Sequence, residues 1–357
     1  MKILALNGSP RGEGQSKTEM LLNCLAQGMR EAGAEVEVVD LRKKKIRFCA
    51  GCYTCWTKTP GVCIHQDDMS KELFPKWLAS DLVVYAFPLY HFTVNAATKA
   101  FIERTLPVAQ PYFERHGDRI FHPHRHTPPK AVFLSVAGLP EMSVFDQLST
   151  WVQFLFGKTG MGTLVAELYR PAAENLPVLG KKADTVLDAF QQAGLEIVRD
   201  LQVSSETMAQ ISQDYVADRE KFALMGNLYW KSCITEGITP KEFSEKKLIP
   251  RPDSLETFMI IQSVAFRPEA AQGLTANIQF RFSGEVKGNG YLHIENGQIR
   301  GVLGEAEKAD LVIDTPFEVW MDILTQKADG QQLFMEQKYQ VSGDLELLMK
   351  LGRLFGR

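Results

Sequence analysis

Five short apolar runs, each trailed by a helical pattern, constrain the first half of this chain more than any other feature. The runs fall at 2–6, 35–40, 82–86, 131–136 and 163–168, and helical periodicity follows near 16–32, 67–79, 95–105, 143–157 and 180–201. A run such as Ile3 to Leu6, without polar alternation, suits a strand covered on both faces. Strands that alternate with helices pair in parallel through right-handed crossovers. The expected fold is therefore α/β, with a doubly wound five-stranded parallel sheet. Gly33 stands where the first helix needs a C-cap, and Asp67 where the second needs an N-cap. In such sheets ligands bind beyond the carboxyl ends of the strands, at the switch point. The loops at 7–16, 87–93 and 136–142 should surround one site.

The first of these loops has its own signature. KILALNGSPRGEGQSKTEMLL at 2–22 runs from a strand through Gly8, Pro10, Gly12 and Gly14 into a helix. A helix N-terminus offers unpaired backbone N–H groups and a positive dipole, which suit an anion. Ser9 and Ser16 add hydroxyl donors and Arg11 a charged one. No Gly-Lys-Ser/Thr follows, so this is not a Walker A loop. Lys17 stands where a dinucleotide fingerprint needs its third glycine, so it is not that either.

The second strand leads into FCAGCYTCWTKTPGVCIHQDDM. Cys49, Cys52 and Cys55 are spaced C-x2-C-x2-C, and Cys63 follows after seven residues. Four thiolates in one loop fit a [4Fe–4S] cluster or a zinc ion. A third reading is a loop of unligated thiols that shapes a site. The triple spacing favours cluster ligation over a zinc finger, which pairs two cysteines and then two more at a distance. Cys24 and Cys233 fall in helical patterns and read as buried small hydrophobes.

Residues 107–129 form an insertion rich in Pro and His. His122, His124 and His126 alternate there, but Pro123, Pro128 and Pro129 favour an exposed loop over a metal site. Lys99 and Glu103 lie one helical turn apart and read as a surface pair. Residues 206–236 read as helical, with Tyr215, Phe222, Met225 and Tyr229 as anchors. The Pro- and Lys-rich stretch 237–253 reads as a linker.

Beyond it the pattern changes. ANIQFRFS at 276–283 alternates as a half-buried strand should. Asn296-Gly297 inside 290–304 signals a hairpin, and 309–314 is a further strand. Thr315-Pro316-Phe317-Glu318 reads as a capping box with Pro at the first helical position. A last amphipathic helix spans Asp344 to Phe355. The expectation is a smaller α+β domain with an antiparallel sheet. With 357 residues the chain should hold two or three domains, divided here as 1–205, 206–253 and 254–357. A net charge of −3 argues against a nucleic-acid partner. No apolar run reaches the length of a transmembrane helix. The start lacks a signal-peptide pattern, so the expected location is cytoplasmic and the cysteines are expected as thiols or metal ligands.

Four segments together, GSPRGEGQS, CAGCYTC…PGVC…DDM, AFPLYHFTVNAATKAFIER and SVAGLPE, resemble the NADPH-dependent FMN reductases of flavodoxin-like fold. The cysteine spacing resembles the iron–sulfur flavoproteins within that group. The resemblance spans about residues 1–200 and implies FMN. It implies that Ser9, Arg11, Gln15 and Ser16 hold the phosphate, with Gln15 where the family usually has Asn. Pro88, Leu89, Tyr90, His91 and Phe92 would line the isoalloxazine, and Ala137 and Gly138 would close the other side. The residues themselves agree, since a ring needs an aromatic or apolar wall and Tyr90 and Phe92 can supply one.

Residues 255–357 resemble the sterol carrier protein type-two domain through IQFRFSGE, ADLVIDTPFEVWMDILT and KYQVSGDLELLMKLGRLF. That resemblance implies an apolar tunnel for a lipid or fatty-acyl ligand. Trp320, Ile323, Leu324, Phe334, Met335, Leu348 and Met349 either line it or are core.

The expected function is an FMN-dependent oxidoreductase. NAD(P)H is the reductant, an iron–sulfur centre is an added carrier, and the acceptor is a small molecule or a protein. The flavin would carry the chemistry, so no catalytic acid or base is assigned. Two alternatives stand beside it: a lipid-binding carrier with a redox-sensing half, and an electron-transfer protein reduced by ferredoxin. A homodimer is expected from the family.

Overall fold

The structure, a computed structural model, describes residues 1–12, 14–158 and 161–356. Glu13 of the opening loop lies outside the described residues. The chain forms two compact units, Met1–Ala217 and Asp218–Arg357.

The first unit contains β1 (Lys2–Asn7), α1 (Lys17–Glu31), β2 (Glu35–Asp40), α2 (Phe74–Leu78), β3 (Leu82–Pro88) and α3 (Ala96–Glu103). A small hairpin, β4 (Glu114–His116) and β5 (Arg119–Phe121), precedes β6 (Lys130–Val136), α4 (Asp146–Gln153), β7 (Leu164–Arg170), α5 (Lys181–Asp200) and α6 (Ser205–Ser212). Five strands pair in parallel in the order β2-β1-β3-β6-β7. With the hairpin set aside, this is the 2-1-3-4-5 order of flavodoxin-like folds, whose switch point lies between β1 and β3. The three central strands, β1, β3 and β6, are buried on both faces, and β2 and β7 at the edges are more open. Ile3, Ala5 and Val84 pack with α1 and α5, whereas Leu4, Leu6 and Val83 pack with Met69, Trp77, Phe101 and Leu148 on the other side.

Two local expectations change. The segment 67–79 opens as a π-turn, Met69–Leu73, before α2. Asp67 still accepts the Ser70 N–H at 3.2 Å, the bond asked of an N-cap. The helix expected over 206–236 is two helices, with Tyr215 in the break. Arg170, 1% exposed, explains the interruption: its Nη1 donates to the carbonyls of Ile211 and Gln213, drawing the end of α6 towards it. Its guanidinium lies 5.2 Å from the Tyr215 ring centre.

The second unit holds α7 (Arg219–Glu236), α8 (Pro240–Glu245), α9 (Leu255–Ala265), β8 (Ala276–Ser283), β9 (Gly288–Glu295), β10 (Gln298–Leu303) and β11 (Leu311–Pro316). Then come α10 (Phe317–Leu324), α11 (Gly330–Met335), β12 (Gln340–Gly343) and α12 (Leu345–Leu354). Asn296 and Gly297 carry φ of 52° and 71°, as the expected hairpin turn requires. The sheet, β10-β9-β8-β11-β12, is mixed and not wholly antiparallel, because β11 returns beside β8 and runs parallel to it. The capping box at 315–318 does not form. Thr315 belongs to β11 and Glu318 accepts the N–H of Glu285 instead. Residues 237–253 carry α8, whose Phe243 is buried 5.0 Å from the Tyr229 ring. Among the described residues no helix is long and apolar enough to cross a membrane.

Candidate functional site

At the carboxyl edge of the first sheet, backbone bonds tie three loops together. Gly8 N–H donates to Ala86 O at 2.7 Å, Leu89 N–H to Val136 O at 2.8 Å, and Ala137 N–H to Arg170 O at 3.0 Å. The loop after β1 is therefore fixed to the end of β3, and the loop after β3 to the end of β6. Gly8 leaves no room for a side chain: a Cβ there would stand 2.2 Å from Thr98 Oγ1. Asn95 completes the link. It caps α3 by accepting the Thr98 N–H at 3.3 Å and donates from Nδ2 to Gly8 O at 2.5 Å.

The cradle itself is polar and shaped by the backbone. Ser16 is the N-cap of α1 and accepts the Glu19 N–H at 3.0 Å. Ser9, 3% exposed, accepts the Arg11 N–H at 3.2 Å. Each hydroxyl keeps its own hydrogen to donate. Gln15 N–H closes a turn onto Gly12 O at 3.2 Å. Arg42 donates to the carbonyl of Arg11, and the Arg11 guanidinium meets Glu174 at 2.5 Å, both side chains half exposed. An anion placed here would compete with Glu174 for Arg11.

The wall is strained. Tyr90 and Thr93 bond to each other across a tight turn, Tyr90 N–H to Thr93 O at 3.3 Å and Thr93 N–H to Tyr90 O at 3.1 Å. Its two central residues, His91 and Phe92, have φ of 48° and 62°. Such turns favour Gly and Asn at these positions, and a bulky residue there costs on the order of 1–3 kcal/mol. Tyr90 and Phe92 are 45% and 52% exposed, and Leu139 and Met142 across the edge are similarly open. Pro88 and Leu89 are part-buried, Ala137 is buried and Gly138 exposed. The edge thus offers an anion cradle, open rings and a strained turn, the elements a flavin nucleotide needs. The donor set fits FMN.

The cysteine loop lies against the other end of α3. Cys49, Cys52, Cys55 and Cys63 line one cavity together with His65, Glu103, Arg104 and Pro107, at the C-terminal end of α3. Cys55 is buried, Cys52 exposed, and the other two are between. Burial, then the neighbouring Cys63, pushes the Cys55 thiol up, whereas the hydroxyl and backbone N–H of Thr54 pull Cys52 down. Of these two thiols Cys52 is the readier thiolate. Among the described residues no three His, Cys, Asp or Glu side chains converge as a single metal ion would need. A four-iron cube takes its thiolates at separate corners and does not ask for that convergence. The four thiols that line the cavity are the donor set a [4Fe–4S] cluster takes.

A buried ion pair that the sequence reading missed holds this cavity. Arg104 donates through Nη1 to Asp67 Oδ2 at 2.7 Å and Arg47 O at 2.7 Å, and through Nη2 to Asp67 Oδ1 at 3.0 Å and Ser70 Oγ at 2.9 Å. Burial works against the Asp67 carboxylate, but Arg104 and the N–H groups of Arg47 and Ser70 hold it well below the usual carboxylate range. Only the Asp-Asp pair behind Cys63 hinted at this from sequence. Asn95 was detectable as a cap residue ahead of a helix; Glu174 carried no signal.

Of the remaining candidates, His122 bonds Tyr112 O at 2.9 Å and packs against Trp56 and Phe113, while burial lowers the His124 pKa. Lys99 and Glu103 pair at 2.5 Å on the surface. Cys24 is half-buried and Cys233 buried. In the second unit Trp320 and Leu324 are core, and Ile323 and Leu348 pack partly against it. Phe334, Met335 and Met349 are exposed, the last two by about three quarters. The Trp320 Nε1–H is buried without a partner.

Residues 1–123 match the NADPH-dependent FMN reductase family. Residues 261–356 match the SCP-2 sterol transfer family, and the two matched segments are those where the sequence resemblances lay. An iron–sulfur flavoprotein of Archaeoglobus fulgidus is 40% identical over 107 residues, 30% of this chain and 46% of that one. An iron–sulfur flavoprotein of Methanocaldococcus jannaschii is 36% identical over 104 residues, 29% of this chain and 50% of that one. The chain thus spans about half the length of these curated relatives. The solved NAD(P)H:quinone oxidoreductase of Methanothermobacter marburgensis is 20% identical, covers 55% of this chain and 96% of its own, and superposes with a TM-score of 0.43.

Proposed function

We propose that the first unit is an FMN-dependent oxidoreductase that draws electrons from NAD(P)H and passes them, through a [4Fe–4S] cluster in the cysteine cavity, to a small-molecule or protein acceptor. The observation that carries this reading is the convergence of the 8–16 cradle and the strained 90–93 turn on one sheet edge, in a segment that matches the FMN reductase family. Ser9, Arg11, Gln15, Ser16 and the α1 N-terminus would hold the phosphate. Tyr90, His91 and Phe92 would face one side of the ring, with Pro88 and Leu89 behind them, and Ala137 and Gly138 the other. Bound flavin supplies the redox chemistry, accepting hydride and releasing electrons in pairs or singly. The protein's part is to orient the ring by the fixed turn and to exclude water with the open apolar rim. Cys49, Cys52, Cys55 and Cys63 would ligate the cluster. That names support a cluster in relatives is a reason to look for one here.

The second unit we read as a carrier of an apolar ligand, supported by its family match and by the unpartnered indole N–H of Trp320, which could meet a polar head. Rapid mixing of the flavin-loaded chain with NADPH tests the first claim by bleaching of the flavin band. Bleaching by reduced ferredoxin but not by NADPH would favour the electron-transfer alternative. Saturable binding of a fluorescent fatty acid to the full chain, displaced by natural lipids, tests the second.

A further inference from the structure

We propose that Arg104 and His65 are positioning residues that direct N–H groups at the sulfur atoms of the centre in the four-cysteine cavity and hold its reduction potential up. The inference rests on the reading that this cavity takes a [4Fe–4S] cluster. It starts from an unfinished bond count. A guanidinium carries five N–H donors and no acceptor. In Arg104 the two Nη groups are engaged by Asp67, Ser70 and the Arg47 carbonyl, while the Nε–H is buried without a close acceptor and the guanidinium has the Cys63 thiol as a neighbour. The side chain is 2% exposed, so water does not satisfy it. His65 lines the same cavity and its Nε2 is likewise buried without a partner. Native interiors rarely leave such groups unpaired, and each exception asks for a reason.

Both residues line the same cavity as the four thiols, and sulfur accepts N–H bonds. Asp67 grips both Nη atoms, so the planar fork cannot turn away. The one carboxylate on the cavity lining, Glu103, is paired with Lys99 at 2.5 Å. A cation with its Nε–H, joined by His65 in the tautomer protonated at Nε2, stabilises the added electron beside an anionic cluster more than the oxidised form. Hydrogen bonds to cluster sulfur and local charge are the levers by which a protein sets such potentials. A purely structural arginine would need Asp67 but no partner at Nε.

The test compares the parent with Arg104→Lys and His65→Phe, all purified without oxygen. Iron and sulfide are counted, and the cluster is titrated against potential by its visible absorbance. Arg104→Lys keeps a cation for Asp67 and removes the fixed Nε–H. Both variants should retain iron and show at least a tenfold fall in the equilibrium constant for one-electron reduction, a shift of 59 mV or more. Unchanged potentials with iron in place overturn the inference and leave the cluster standing. A parent without iron overturns the reading beneath it and the inference too. Where Arg104→Lys alone loses iron, His65→Phe decides by its potential. Loss of iron from both, with FMN still bound, also overturns the proposal, because the donors would then build the site and not tune it.

Discussion

The two ends of α3 are built by opposite means. At its N-terminal end the cradle is made of backbone: carbonyls and N–H groups of β1, β3 and β6, a glycine that admits no Cβ, and one Asn95 that caps the helix and clasps Gly8. At its C-terminal end the cavity is made of side chains: four thiols, and an arginine locked by an aspartate 37 positions away. Backbone sites survive loss of any one contact, because the chain path holds the rest. A side-chain site depends on each member. The comparison teaches where single substitutions should be all-or-none and where they should be graded.

The largest effect is expected at the cysteine end. Cys55→Ser should remove essentially all iron from the anaerobic protein while FMN binding persists; retained iron would make the two ends more alike than we argue. Next is the ion pair. Arg104→Met strands a buried carboxylate and should cost about 3–5 kcal/mol in denaturant unfolding. Its pH dependence has a defined sign. Asp67 is held below its unfolded value near 3.9, so its contribution is present above that pH and is lost as pH falls below it. The variant should lose less stability than the parent across that acid window.

The cradle end should respond by degrees. Arg11→Ala should weaken FMN by about ten- to a hundredfold, roughly 1.5–3 kcal/mol, measured by fluorescence quenching. Unchanged affinity would remove Arg11 from the phosphate. The smallest effect is expected from Glu174→Gln. It frees Arg11 from a half-exposed ion pair, which should tighten FMN by at most about fivefold. Weaker binding instead would give Glu174 a direct role in the cradle.

The same contrast explains what could be read in the sequence. The sheet was legible because its central parallel strands leave largely apolar runs, and the cradle because a strand, spaced glycines and a helix start lie within one short segment. The cysteines were legible by spacing. Asp67–Arg104 was not, because a pair formed across 37 residues leaves no local period. The left-handed His91 and Phe92 were hidden for another reason: turn chemistry points to Gly or Asn, and here the Leu89–Val136 and Asn95–Gly8 bonds anchor the chain on both sides of the turn. In the second unit β11 pairs parallel to β8, although alternation along a strand reports its faces and not its direction. The four-residue β12 is too short to show a period at all.

The most direct test of the account is a stoichiometry of the protein purified without oxygen, read from its absorbance spectrum with FMN, iron and sulfide counted per chain. The account predicts one FMN with flavin bands over a broad cluster shoulder, and four iron and four sulfide in the cysteine cavity. A folded chain that binds no FMN when the cofactor is supplied would contradict it at the cradle. Flavin bands alone, with neither iron nor sulfide, would leave the cradle intact and contradict it at the cysteine end.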